Sequence, residues 1–250
     1  MTVLLNRKQL PGLVQIDLPG IDTIVNELVT PDIENFVSIN LAKSNSFDNY
    51  PSAHQHCYDT FFKGQHEASL SSELYVQYSF TEQSEIKTVD AAVLHSSGAT
   101  VKSRLRRLQK HSVNYIAEAD DTRYTELTAE CPVSVAALVK TIRSCGDVVA
   151  RVRLAGVAPG HELLLHRDHD PTKLVRLHVP IETNDQCLID CENKAQEIVS
   201  VHLERGKVYV LNTGRRHAAR NGSDSWRVHL LVDVHGQNFL KQYTTKTIID

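Results

Sequence analysis

From residue 147 onward the chain is written in period two. Runs of alternating character are separated by the turn pairs Pro159-Gly160, Asn184-Asp185, Arg205-Gly206 and Asn221-Gly222. Successive side chains point to opposite faces of a strand, so this pattern demands a sheet. In Lys173-Leu-Val-Arg-Leu-His-Val-Pro-Ile181, Val175, Leu177, Val179 and Ile181 take one face, and Arg176 and His178 take the other. Trp226 to Asp233 repeats the device, with Arg227 and His229 opposite Val228, Leu230 and Val232. An antiparallel sheet normally packs one face and wets the other. Here the second face carries basic groups, which suits the lining of a polar pocket.

The preceding region is mixed. Pro19 to Val29 has helical apolar spacing at Ile21, Ile24, Val25 and Leu28. Leu70 to Phe80 contains a strand-like run. Val101 to Lys110 reads as a basic amphipathic helix with Val101, Leu105 and Leu108 inward. Pro132 to Ser144 has Pro132 in the first turn, Val135, Leu138, Val139 and Ile142 on one stripe, and Gly146 just past the end. The expected division is residues 1–146 as an α/β region shaping the substrate side and 147–250 as the catalytic core, the two forming one integrated domain. A helical layer packed on the strands fits that order.

Chemistry concentrates in the strands. His161-Glu-Leu-Leu-Leu-His-Arg-Asp168 reads as a strand, so His166 and Asp168 emerge on the same side. His161 and His169 are out of phase and stay unassigned. With His217, these residues make two imidazoles and one carboxylate, the ligand set of non-haem Fe(II) oxygenases with open coordination positions. Arg176 and Arg227 add what such iron needs to hold an acidic co-substrate, since a guanidinium grips a carboxylate bidentately. The alternative for either arginine is a structural ion pair with Asp168 or Glu182. Arg151 and Arg153 precede the metal motif as candidates for substrate contact or for surface charge. Tyr209 and Asn212 are further candidates for pocket lining. His54-Gln-His56 repeats the i, i+2 spacing without a carboxylate or arginine in register and reads as surface.

The stretch from about Val149 to Gly236 resembles the aspartyl/asparaginyl β-hydroxylase family, which includes bacterial free-proline hydroxylases. The residues that carry the resemblance are His166-Arg-Asp168, Arg176-Leu-His178-Val-Pro-Ile-Glu-Thr, Glu204-Arg-Gly206-Lys-Val-Tyr209, Asn212, His217, Asn221 and Arg227-Val-His229-Leu-Leu-Val-Asp233. The resemblance implies a mainly β, α+β fold: a double-stranded β-helix (jelly-roll, cupin-like) with an N-terminal helical layer. It implies Fe(II) held by His166, Asp168 and His217, with 2-oxoglutarate and O2 as co-substrates. It places Arg227 on the distal carboxylate of 2-oxoglutarate, and Arg176 with His178 near the metal-side carboxylate. Some members lack the carboxylate ligand. Asp168 makes this chain look like the proline hydroxylases and argues against a halogenase, which needs that position vacant. The implied activity is hydroxylation of an amino-acid side chain, free or peptidyl, with conversion of 2-oxoglutarate to succinate. The first 140 residues lie outside the resemblance, so substrate identity is not inherited.

Two other classes fit the same ligand set. One is a zinc hydrolase with two histidines and one carboxylate; it would have no use for a dicarboxylate grip. The other is a non-enzymatic β-barrel that binds a small acid. The formal net charge of −3 over 250 residues gives no global pull toward nucleic acid or anionic membrane. Lys102 to Lys110 reads as a solvated face, with Glu118, Asp120 and Asp121 close in sequence. No apolar run is long enough to span a bilayer, and the first ten residues carry charge where a signal peptide needs its apolar core. The 5 cysteines, an odd number, point to reduced thiols and a cytoplasmic protein. Cys187 and Cys191 read as small buried apolar residues rather than a metal clip.

Overall fold

A computed structural model describes residues 4–28, 75–79, 81–82, 125–127 and 131–250. In chain order its elements are β1 (Leu13–Ile16), α1 (Ile21–Leu28), β2 (Tyr75–Ser79), β3 (Thr81–Glu82), β4 (Glu126–Leu127) and α2 (Val133–Ser144). There follow β5 (Val148–Val157), β6 (Glu162–His166), β7 (Val175–Glu182), β8 (Cys187–Glu192), β9 (Ile198–His202), β10 (Val208–Leu211), β11 (His217–Asn221) and β12 (Arg227–His235). A short helix α3 (Phe239–Gln242) and β13 (Thr245–Ile249) complete the chain. The reading of Val101 to Lys110 as a helix, and that of His54 and His56 as surface, fall outside the described residues.

The strands form a 7-stranded sheet in the order β13-β1-β10-β7-β12-β5-β2 and a 4-stranded sheet in the order β6-β11-β8-β9, with β3 and β4 paired separately. From β5 to β12 the chain steps back and forth between the two large sheets. The inner four strands β10-β7-β12-β5 face β6-β11-β8-β9, all antiparallel. That order is a double-stranded β-helix. Residues from the first 28 and the last few join the same sheet, because β1 pairs with both β10 and β13.

Period-two patterning places the main apolar core outside the β-helix. Val175, Leu177, Val179 and Ile181 on β7, with Val228, Leu230 and Val232 on β12, pack with Ile21, Ile24, Val25 and Leu28 of α1 and Val135, Leu138, Val139 and Ile142 of α2. These helical stripes are the ones the sequence spacing predicts. The N-terminus of α2 is closed by α1, since the Val133 and Ser134 backbone N–H groups donate to the Glu27 carboxylate at 3.2 and 3.0 Å. An anion there satisfies otherwise orphaned donors. Gly146, with φ +84°, ends the helix in the left-handed conformation where a side chain would be strained. A second apolar cluster, including Leu13, Ile189, Cys191, Tyr209, Leu211 and Ala219, fills the space between the sheets. Cys187 and Cys191 are buried free thiols, as expected for small apolar residues.

Two irregularities re-aim side chains toward the site. Between Val232 and Asp233 the pairing of β12 with β5 slips, leaving Arg151 as an extra residue at φ +51°. The bulge lets Val149 and Val152 both face the helices while Arg151 and Arg153 turn inward. On β6, His166 and Leu163 pair with His217 and Ala219 across a second slip. His166 therefore faces the interior while Leu165 is left 43% exposed.

Asn212 and Tyr209 serve this scaffold. The Asn212 amide donates to the carbonyls of Arg7 and Leu10 at 3.1 and 2.8 Å, and Arg215 donates to the same two carbonyls and to those of Glu192 and Asp250. The Tyr209 hydroxyl accepts from the Glu204 backbone N–H. No helix among the described residues is long and apolar enough to cross a membrane.

Candidate metal centre

His166, Asp168 and His217 meet between the two sheets. One ligand atom from each lies within 4.8 Å of the others. The grouping has a local cause and a distant one. His166 closes β6 and Asp168 follows two residues later, with its backbone N–H donating to the Thr213 carbonyl at 2.8 Å. His217 opens β11 directly opposite His166 in the antiparallel register. The Asp168 carboxylate spans the two rings, its Oδ1 at 3.7 Å from His166 Nε2 and its Oδ2 at 3.9 Å from His217 Nε2.

The protonation chemistry suits a metal. His217 is held neutral: burial foremost, then the neighbouring His166, brings its pKa down to about 4. Its Nδ1 lies 3.0 Å from the Arg215 carbonyl, so Nδ1 carries the proton and Nε2 presents its lone pair to the centre. Two imidazoles and a carboxylate are a donor set suited to Fe(II), and these residues fit that ion. Arg167, between His166 and Asp168, points the other way and donates to Glu192 at 3.0 Å. Burial would raise Glu192, but donors from Arg216 and Arg167 outweigh it and bring its pKa to about 2.

Behind the centre lies a charged cluster that the strand pattern by itself did not assign. Asp233 on β12 is fully buried and receives Arg176 Nε at 2.6 Å, Arg176 Nη2 at 3.1 Å and Arg153 Nη1 at 3.1 Å, with Arg151 Nη1 at 3.9 Å. Arg176 also donates through Nη1 to Asp168 Oδ2 at 2.7 Å. Burial alone would raise the Asp233 pKa, but Arg153 and Arg176 hold it well below the usual carboxylate range. Arg151 and Arg153 are thus buried groups rather than surface charge. Asp233 was visible in sequence as a carboxylate in phase with Arg227 and His229 on an otherwise apolar strand.

The third group is Arg227, His229 and His178. Arg227 Nη2 donates to His229 Nδ1 at 3.0 Å, and the two imidazoles approach at 3.4 Å between Nδ1 atoms. All three side chains are buried. Burial first, then the Arg227 charge, pushes both histidines well below their ordinary pKa. Among the described residues, the Nε2 atoms of His178 and His229 find no hydrogen-bond partner. Buried polar atoms of this kind are costly unless a ligand or water meets them. Neither His161 nor His169 belongs to the three-residue cluster, and His161 Nδ1 lies 2.6 Å from the Pro159 carbonyl.

Residues 80–236 match the family model of the aspartyl/asparaginyl beta-hydroxylases. Among solved structures, a cupin domain from Bordetella pertussis Tohama I is 26% identical over 35% of this chain and 82% of its own, with a TM-score of 0.28. A 2OG-Fe(II) oxygenase family oxidoreductase from Burkholderia pseudomallei is 9% identical over 64% of this chain, with a TM-score of 0.37. The chain spans 65% of that oxygenase, just under two thirds. The non-heme monooxygenase ThoJ, in its nickel complex, is 16% identical over 64% of this chain and 72% of its own, with a TM-score of 0.34.

Proposed function

The chain belongs to the aspartyl/asparaginyl β-hydroxylase family, and on that premise we propose that it is an Fe(II)- and 2-oxoglutarate-dependent dioxygenase hydroxylating an amino-acid side chain, free or in a peptide. The observation that carries this reading is the convergence of His166, Asp168 and His217, with ligand atoms within 4.8 Å of one another, inside a β-helix that also buries Arg227. His166, Asp168 and His217 would hold the iron. Together with 2-oxoglutarate and O2, bound Fe(II) would supply the oxidising chemistry that turns a substrate C–H into C–OH while 2-oxoglutarate becomes succinate and CO2.

The chain's own residues do the rest. Arg227 offers a buried planar guanidinium to the distal carboxylate of 2-oxoglutarate. A charge-assisted pair of this kind strengthens where water is excluded. The Nε2 atoms of His178 and His229, which meet no polar partner among the described residues, add polar contacts in the same chamber. Arg176 and His178 border the metal-side carboxylate, Arg176 through its contact with Asp168. The apolar faces of β7 and β12 keep this polar chamber dry from behind. We assign catalysis to residues 147–250 and the substrate side to residues 1–146, with a free amino acid or small peptide as substrate. The four described cysteines are all free, which fits a reducing, cytoplasmic setting.

The test is anaerobic titration of the purified protein with Fe(II) and 2-oxoglutarate, following the visible charge-transfer band of the chelate. Its growth, and its loss in His217→Ala, is the expected result. Iron binding without the band would overturn the 2-oxoglutarate assignment and favour a hydrolase or an acid-binding module.

A further inference from the structure

We infer that Arg176 is a positioning residue for the metal-ligating carboxylate, and that Asp233 is the anchor holding it in that role. The inference rests on the assignment of His166, Asp168 and His217 as metal ligands. Of the three, Asp168 lies outside the strands, past the end of β6, where its backbone N–H donates to the Thr213 carbonyl. The two histidines, by contrast, sit within paired strands.

The guanidinium of Arg176 corrects this. Nε and Nη2 form a fork on the two oxygens of Asp233, at 2.6 and 3.1 Å, and Nη1 reaches Asp168 Oδ2 at 2.7 Å. Arg176 and Asp233 are register partners on β7 and β12, so the fork is fixed to the centre of the large sheet. A planar group held at two points has its third nitrogen fixed in direction. The loop carboxylate is thereby tied to the rigid sheet. Oδ2 takes the Arg176 contact, while Oδ1 lies 3.7 Å from His166 Nε2.

Charge supports the same division. Asp233 has no solvent exposure and is surrounded by Arg151, Arg153 and Arg176. It offsets part of their mutual repulsion, so Arg176 stays in place beside Arg151 and Arg153 while it reaches Asp168. A lysine at position 176 would keep the positive charge but could not bridge both carboxylates in fixed directions. Outer-shell partners that orient a ligand typically contribute roughly 10–100-fold to metal affinity.

A double-mutant cycle in the full-length protein tests this without turnover. Co(II) affinity is measured anaerobically by titration, from its visible absorption, for wild type, Arg176→Lys, Asp168→Ala and the double variant. Folding is checked by circular dichroism. Arg176→Lys is expected to weaken Co(II) roughly 10–100-fold when Asp168 is present, and to leave affinity unchanged in the Asp168→Ala background. Asp233→Asn, measured in the same two backgrounds, should reproduce the pattern and serves if Arg176→Lys does not fold. Equal loss in both backgrounds, or no loss with Asp168 present, would overturn the inference while the metal site stands. Failure of the wild type to bind Co(II) at all would instead overturn the metal-site reading, and this inference with it.

Discussion

His166 and His217 are register partners on neighbouring antiparallel strands, their ring centroids 4.3 Å apart and their planes tilted by 52°. Two imidazoles are brought together by backbone pairing, with Asp168 across both. Removing one ring removes a direct donor. His217→Ala should therefore lower Fe(II) affinity by more than the roughly 10–100-fold typical of losing an outer-shell partner. Equilibrium dialysis with iron quantification checks this, and near-stoichiometric retention of iron would exclude His217 as a ligand.

Arg227→Ala separates co-substrate binding from metal binding. Hydrogen bonds to charged groups contribute about 1.5–3 kcal/mol, so 2-oxoglutarate should bind on the order of tenfold to a hundredfold more weakly. Iron should be retained, because Arg227 contacts His229 and is not among the three clustered residues. Parallel titrations of the chelate band and of bound iron read the two effects. Loss of both together would count against the anchoring role.

Acid should destabilise the apoprotein in a defined window. His217 is lowered from 6.5 to about 4, chiefly by burial, and His178 and His229 are lowered well below 6.5 for the same reason. Below about pH 6.5 the unfolded chain takes up protons that these folded imidazoles refuse. Their contribution is complete above that pH and is lost as pH falls toward 4 and beyond. Each unit of separation is about 1.4 kcal/mol. Tm followed by circular dichroism in metal-free buffer should fall steadily from pH 7 to pH 5, and a flat profile would contradict the buried, neutral state of all three rings. Asp233, held below its usual range, adds a loss of the same sign only below its ordinary value of 3.8.

Leu177 sits between Arg176 and His178 but faces the helices, fully buried. Leu177→Ala should cost about 2–5 kcal/mol of folding stability through the cavity it leaves. Metal affinity of the folded variant should be unchanged, because the substitution lies on the opposite face of the sheet from the ligands. Chemical denaturation and Co(II) titration on the same preparation test both halves, and a large change in affinity at preserved fold would show that the two faces are coupled.

Local pattern determined much of this molecule. Period two fixed the faces of β7 and β12, and the helical stripes of α1 and α2 follow from spacing at Ile21, Ile24, Val25 and Leu28 and at Val135, Leu138, Val139 and Ile142. That His166, Asp168 and His217 could cluster was legible because residue type and face are both local properties. What only the tertiary structure decided is who meets whom. Arg176 and Arg153 both show in sequence as strand arginines, yet each ends on Asp233, 57 and 80 residues away. Glu27 caps a helix 106 residues downstream. Arg151 turns inward at a bulge that no alternation predicts. A side chain's face is set by its own backbone, within a residue or two. The carboxylate that a guanidinium reaches is set by strand register across the sheet, which depends on every strand between them.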